Sequence, residues 1–281
     1  MSISDVIRKI RYEYILKNKF LTPLYTFAIK KYCNVQENRI NKKAEQRQNG
    51  NIVGYEELKN LKNKFEGERC FIIATGPSLT YDDLKKIENE YTFGMNSLVL
   101  GYDDNEFRPT FYGIQDRFVF EKVKEKLIEY YANSKNVFLP DTFDDNDFIS
   151  KNWIKFPYDT YYHMADFHKK NYHAKFSDNA LYKVYDGYTI TYSLVELAVY
   201  MGFKEIIFLG FDFGYAKNKK SHFIEHGVVD STADELGKRM TVSFEVAKKY
   251  AEQNGIKILN ATRGGYLELF ERIDLDSMIL K

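Results

Sequence analysis

Only two cysteines, Cys33 and Cys70, and a single tryptophan occur in 281 residues. Two thiols give neither a disulfide framework nor a metal-spaced cluster, which excludes a stapled secreted scaffold and fits a reducing compartment. Cys70, inside an apolar run, reads as a small core residue. No apolar run approaches the roughly 20 residues a helix needs to cross a bilayer. The start, Met-Ser-Ile-Ser-Asp-Val-Ile-Arg-Lys, has no apolar h-region, so a secretory signal is not expected. Strong charge of one sign is also missing, with a formal net charge of +1. That charge is unevenly placed. Residues 1–50 hold 11 Lys/Arg against 4 Asp/Glu, and the remainder holds 30 against 36. By charge, the body of the chain is therefore not a nucleic-acid surface.

What is present is an ordinary soluble composition, 44% hydrophobic and 29% charged, in a chain long enough to bury a full core. Tyr (23) and Phe (22) are abundant. They are either stacking platforms for bases and sugars or part of a general drift toward Phe, Tyr, Asn, Lys and Ile, and the drift accounts for most of them.

Residues 1–66 read as a basic helical arm. Ile3, Val6, Ile7, Ile10 and Tyr14 recur at helical spacing with Arg8, Lys9, Arg11 and Lys17 between them. Pro23 is expected to interrupt, and Leu24, Phe27, Ala28 and Tyr32 form a second apolar set. From Asn34 to Asn51 the chain is polar and basic, read as exposed helix or linker, and a short helix is expected at 55–65. Two readings of the arm stay open. It lies on an anionic membrane surface, or it packs on the body or on a partner subunit.

From residue 67 to 281 strands alternate with helices. Strands are expected at 69–75, 92–95, 110–114, 136–139, 205–210 and 256–259, and helices at 81–89, 118–132, 191–201 and 232–253. This alternation predicts an α/β domain with a mostly parallel sheet and helices on both faces. Ligands of such sheets bind beyond the carboxyl ends of the strands. That rule gathers residues 75–78, Asn96, Gln115, Asp116 and residues 212–215 on one rim. Residues 140–188 break the alternation and are expected to form an irregular lid-like insertion. Its His163, His168 and His173 lack metal-ligand spacing and are read as a solvated, mobile loop.

The most telling stretch is Cys70-Phe-Ile-Ile-Ala-Thr-Gly-Pro-Ser-Leu79. A run of β-formers stops at Thr75-Gly76-Pro77-Ser78, and an acidic helical segment follows. Gly76 removes a side chain where a ligand approaches, Pro77 pre-sets the turn and Ser78 can cap. The free N–H groups of such a helix start make an anion site, most often for phosphate. The stretch matches neither G-x-G-x-x-G nor the P-loop pattern, and an ordinary βα turn fits it equally well.

Two of the five histidines lie together in Ser221-His222-Phe223-Ile224-Glu225-His226. Histidine near neutral pKa suits proton abstraction from an attacking hydroxyl, and this reading stands above a zinc site, while taken alone the pair reads best as one satisfied structural histidine and one exposed one. No D-x-D motif stands at a strand end, so leaving-group charge falls to the helix starts near residues 75–78 and 189–193, to Tyr215, or to Lys217, Lys219 and Lys220.

In their order, these segments resemble the bacterial sialyltransferases of glycosyltransferase family 42, over residues 69–265. Ile72-Ile-Ala-Thr-Gly-Pro-Ser-Leu79 is similar to their donor loop, and Met95-Asn96-Ser97 to their strand-end nucleotide contact. Thr189-Ile-Thr-Tyr-Ser193 together with residues 201–213 is similar to their central helix–strand unit. Ser221-His222-Phe223-Ile224-Glu225-His226 is similar to their S-H-Y-x-x-H, with Phe223 in the Tyr position. More distantly, the first segment and Asn260-Ala-Thr-Arg-Gly-Gly265 resemble the pterin diphosphokinase-like and flagellin-glycosylation proteins that share a Rossmann-like core.

The resemblance implies an inverting, metal-independent glycosyltransferase. It would move sialic acid or a related nonulosonate from a CMP-sugar to a glycan or glycolipid acceptor of a bacterial surface polysaccharide or lipooligosaccharide. His226 is the implied base. Thr75, Gly76, Pro77, Ser78, Asn96, Gln115, Asp116, Thr189, Thr191, Asp212, Tyr215 and His222 are the implied donor contacts. No cofactor beyond the CMP-sugar co-substrate is expected. A cytoplasmic location is expected, peripheral to the membrane through residues 1–50, with a homo-oligomer a further expectation. The alternatives are an ATP-dependent pterin diphosphokinase-like enzyme and a non-catalytic nucleotide-binding or scaffold protein.

Overall fold

The computed structural model describes residues 14–51, 53–143, 152–167, 170–213, 223 and 233–279. Helix α1 (Leu21–Gln48) runs for 28 residues and is followed by the short α2 (Glu56–Asn60). Pro23 does not interrupt α1. It falls in the first turn, where the missing N–H has no intrahelical partner to lose.

The body alternates as the apolar runs predict. β1 (Arg69–Ile73) leads to α3 (Tyr81–Lys86), β2 (Tyr91–Met95) and a 3₁₀ turn (Asn96–Gly101). β3 (Phe111–Gly113), α4 (Arg117–Tyr131), β4 (Val137–Pro140) and β5 (Ile154–Phe156) complete one half. A short pair, β6 (Tyr158–Asp159) and β7 (Val184–Tyr185), flanks α5 (Tyr161–Met164). α6 (Ile190–Met201), β8 (Glu205–Leu209), α7 (Ala233–Gln253), β9 (Lys257–Asn260), β10 (Glu271–Arg272) and α8 (Leu275–Ile279) form the rest.

Among the described residues, eight strands make one sheet in the order β10-β9-β8-β1-β2-β3-β4-β5, parallel at every pairing. This is a doubly wound, Rossmann-like α/β fold. The chain moves outward from β1 in one direction, then returns to β8 and moves outward in the other. The reversal lies between β1 and β8, the position at which sheets of this kind bind ligands.

Strand alternation divides the core. Cys70 and Ile72 face one side with Phe93, Leu194, Leu197, Phe208 and Phe244. Phe71 and Ile73 face the other with Tyr112, Phe120, Val123 and Ile207. Much of the phenylalanine content lies here as edge-to-face and stacked pairs, among them Phe65–Phe203 and Phe208–Phe244. α6 is buried on nearly every side, in keeping with its apolar run Ser193-Leu-Val-Glu-Leu-Ala198. No helix of the described residues is long and apolar enough to cross a membrane.

Candidate active site at the strand ends

The turn after β1 and the turn after β8 are knitted together. The ladder continues beyond the strands, with Ala74 N–H donating to Leu209 O (2.9 Å) and Gly76 N–H to Gly210 O (2.8 Å). Ser78 then donates twice to one carboxylate oxygen of Asp212, through Oγ (2.8 Å) and through its backbone N–H (3.3 Å). A β-carbon at position 76 would collide with Asp212 Oδ2 and with Gly210 O, so only glycine fits. Behind Asp212, Tyr266 N–H donates to its carbonyl (2.8 Å), and Gly265 (φ +75°) packs where a β-carbon would lie 2.7 Å from that oxygen.

These contacts change the meaning of the turn. Its donors do hold an anion, but the anion is a carboxylate of the chain itself. The start of α3 is also closed. Thr80 and Asp83 form a reciprocal capping box, and Arg263 bonds to both side chains. What residues 75–78 offer a ligand is a rigid backbone wall, not a row of free N–H groups.

An open polar atom lies one strand over. Asn96 follows β2 in the left-handed region (φ +49°), and its carbonyl accepts from Tyr112 Oη (2.7 Å). Its side-chain Oδ1 is buried without a hydrogen-bond partner, and so is the Oγ of Ser97. Buried carboxamide oxygens are rarely left so, and a ligand donor would complete this one.

α6 starts at the same rim. Thr189 is its N-cap, accepting from Thr191 N–H (3.3 Å), and Thr191 Oγ1 lies 3.4 Å from Met95 Sδ. Ser193 Oγ donates to Gln115 Oε1 (2.7 Å), tying the end of β3 to the helix. Asp116 is exposed, and its Oδ1 caps α4 by accepting from the N–H groups of Phe118 (2.7 Å) and Val119 (3.1 Å). Pro77 is exposed at the tip of the first turn. Thr75 is buried, and its carbonyl accepts the N–H of Phe223 (2.6 Å), whose ring packs edge-on against Tyr81. His226, His222, Tyr215, Lys217, Lys219 and Lys220 lie outside the described residues.

The insertion carries chemistry that spacing did not reveal. His163 is only 5% exposed and not solvated. Its Nε2 lies 3.1 Å from Asp186 Oδ2, and its ring packs on Tyr162 and Tyr188. His173 Nε2 pairs with Tyr162 O (3.0 Å). Both side chains sit in an aromatic cluster around Tyr162. Tyr158 also bonds to Asp186, and burial with the charges of Asp186 and Asp116 holds its phenol far above the ordinary range. Tyr188 is pushed up to about 12 by burial.

Glu196 of α6 is fully buried and fastens this region. Its two carboxyl oxygens accept the N–H groups of Ser177 (2.5 Å) and Tyr185 (2.7 Å), while burial raises its pKa well above the ordinary value. A lone Glu in an apolar helix is the one signal that would have flagged this anchor. Among the described residues, no group of three or more His, Cys, Asp or Glu side chains is placed to hold a metal ion.

Residues 45–218 match the model of the 6-hydroxymethylpterin diphosphokinase MptE-like family, more than half of the chain. The chain belongs to this family. Among solved structures, it is similar to a MAf glycosyltransferase from Magnetospirillum magneticum AMB-1, at 15% identity and TM-score 0.49. The match covers 82% of this chain and 41% of that one, so this MptE-like chain spans well under half of the MAf protein. It is also similar to the sialyltransferase CstII from Campylobacter jejuni in complex with a substrate analogue, cytidine-5′-monophosphate, at 16% identity and TM-score 0.44. That match covers 74% of this chain and 85% of CstII. No curated protein matches this MptE-like chain.

Proposed function

We propose that this protein is an inverting glycosyltransferase that takes its sugar, sialic acid or a related nonulosonate, from a CMP-sugar. One contact carries the reading. Phe223, three residues before His226 in the Ser221–His226 motif, donates its N–H to Thr75 at the nucleotide turn. Two separate parts of the motif series therefore meet at the switch point of the sheet. Asn96 supports it further, because its buried Oδ1 is an acceptor suited to a ribose hydroxyl or a cytosine amino group.

In this mechanism His226 removes the proton from the acceptor hydroxyl. The acceptor oxygen forms its bond to the anomeric carbon as the bond from that carbon to the CMP phosphate oxygen breaks, and the centre inverts. CMP departs with the bonding pair. Its charge would fall to the N-terminal turn of α6, to Tyr215, or to Lys217, Lys219 and Lys220, because the donors of Ser78 are already taken by Asp212. The acceptor is a surface glycan or glycolipid. Phe20 at the N-cap of α1 and Leu24 and Phe27 on its first half, between 68% and 75% exposed, would bring the enzyme to an anionic membrane surface.

A second reading follows from the family match. A diphosphokinase would bind ATP and a hydroxymethylpterin in the same crevice and release AMP. A thermal-shift series with CMP, CDP, UDP, GDP and ATP separates the two. Stabilisation grows with ligand concentration over Kd, so saturating CMP raises the melting temperature selectively under the first reading and ATP does so under the second. A shift with neither would overturn both.

A further inference from the structure

Where α1 crosses the ends of β4 and β5, the structure holds a pocket of about 520 Å³ lined by Arg39, Lys42, Lys43, Arg47, Asp141 and Tyr161, among others. That volume lies within the range of small-molecule sites. The four cations come from one helical face, spaced by three, four and eight residues from Arg39. Arg39, Lys42 and Lys43 are exposed, and none forms a salt bridge with a described residue. Arg47 is buried. Its Nε and Nη2 donate to Leu181 O (3.0 Å) and Tyr182 O (2.7 Å), and it stacks over Tyr55.

One carboxylate lines the pocket, and it does not neutralise the four cations. Asp141 accepts from Tyr55 Oη (2.8 Å) and from Tyr158 N–H (3.1 Å), and burial raises its pKa. The pocket therefore has a surplus of positive charge beside aromatic walls. It also lies on the carboxyl side of the sheet, reached through Asp141 after β4 and Tyr158 after β5, and Tyr158 in turn feels the charge of Asp116 on the rim. With strands about 4.8 Å apart, β4 stands roughly 14 Å from β1 along the rim, beyond the nucleotide crevice but within one extended substrate.

We propose that this pocket is a second anion site, one that binds the phosphate or diphosphate group of the acceptor. The word acceptor rests on the glycosyltransferase reading. The anion site does not, and it stands or falls on its own residues. Exposed, flexible lysines and an arginine supply charge-assisted hydrogen bonds to phosphate oxygens, while Arg47 holds the helix in place.

The test is calorimetric titration of the full chain with inorganic pyrophosphate and, separately, with CMP. The variants are R39Q/K42Q/K43Q, all exposed positions, and N96A. Pyrophosphate affinity should fall by at least about tenfold in the triple variant and stay unchanged in N96A. CMP affinity should show the reverse pattern. Pyrophosphate affinity unchanged in the triple variant, with its circular dichroism spectrum intact, would overturn the proposal whatever CMP does. Absent CMP binding with the pyrophosphate result intact would instead remove the donor reading and leave the anion site standing. Co-sedimentation with phosphatidylcholine vesicles containing phosphatidic acid distinguishes the source of the phosphate. Vesicle binding lost in the triple variant assigns it to a lipid headgroup, and vesicle binding kept alongside lost pyrophosphate binding assigns it to a soluble phosphate ester.

Discussion

Ser78 Oγ and Ser78 N–H both donate to the same oxygen of Asp212, across 134 residues of sequence. This joint closes the turn after β1 against the end of β8. Asp212→Ala removes the acceptor of both bonds and should cost roughly 1–3 kcal/mol of stability by urea denaturation, with weaker CMP binding. Ser78→Ala keeps the backbone bond and should cost less, about 1 kcal/mol.

Gly76 tests whether the wall beside that joint is as tight as it looks. Gly76→Ala should lower the melting temperature and abolish nucleotide stabilisation. Adding Asp212→Ala should not restore either property, because the carbonyl of Gly210 still blocks the new methyl group and is fixed in the ladder. Full rescue by the double variant would mean that the backbone there yields.

Buried Glu196 sets a pH dependence with a definite sign. Its folded-state pKa is raised, so the native chain keeps a proton that the unfolded chain releases near the ordinary value of 4.5. Unfolding free energy should therefore fall as pH rises from about 4.5 toward neutrality. Glu196→Gln offers one acceptor oxygen where two N–H groups need one each. It should be less stable by about 1–3 kcal/mol at low pH and should show a flatter profile across that window. Urea melts of both proteins along a pH series check the difference.

Lys183 and Asp159 form a buried pair, 4% and 0% exposed at the side chains, with Nζ 2.9 Å from Oδ2. Lys183 also donates to Asn41 of α1 (2.8 Å). Asp159→Asn strands the ammonium and should cost about 3–5 kcal/mol. The double variant Asp159→Asn/Lys183→Met should be more stable than that single variant, as measured by the urea midpoint.

The parallel sheet was legible because its strands are short apolar runs separated by amphipathic helices, a pattern that survives any tertiary detail. β5 was not, since Ile154-Lys-Phe156 is three residues long within an Asp- and Asn-rich stretch. Pro23 reads as a break in the sequence because its place in the first turn of α1 depends on where that helix begins. The switch-point rule placed Thr75, Asn96, Gln115 and Asp212 on one rim, and the sheet order puts them there. Local pattern could not show that Asp212 fills the anion cradle of residues 75–78, because that contact exists only once β1 and β8 pair. The burial of His163 was hidden for the same reason. Its partners, Asp186 and Tyr188, come from beyond α5, and helical spacing says nothing about them.

The most direct test of the account is product analysis of the full chain incubated with CMP-sialic acid and a lipooligosaccharide acceptor, and in parallel with ATP and 6-hydroxymethylpterin. Release of CMP with transfer of the sugar to the acceptor, lost in His226→Ala, is the predicted result. Formation of AMP from ATP and the pterin, with CMP-sialic acid left intact, would contradict it.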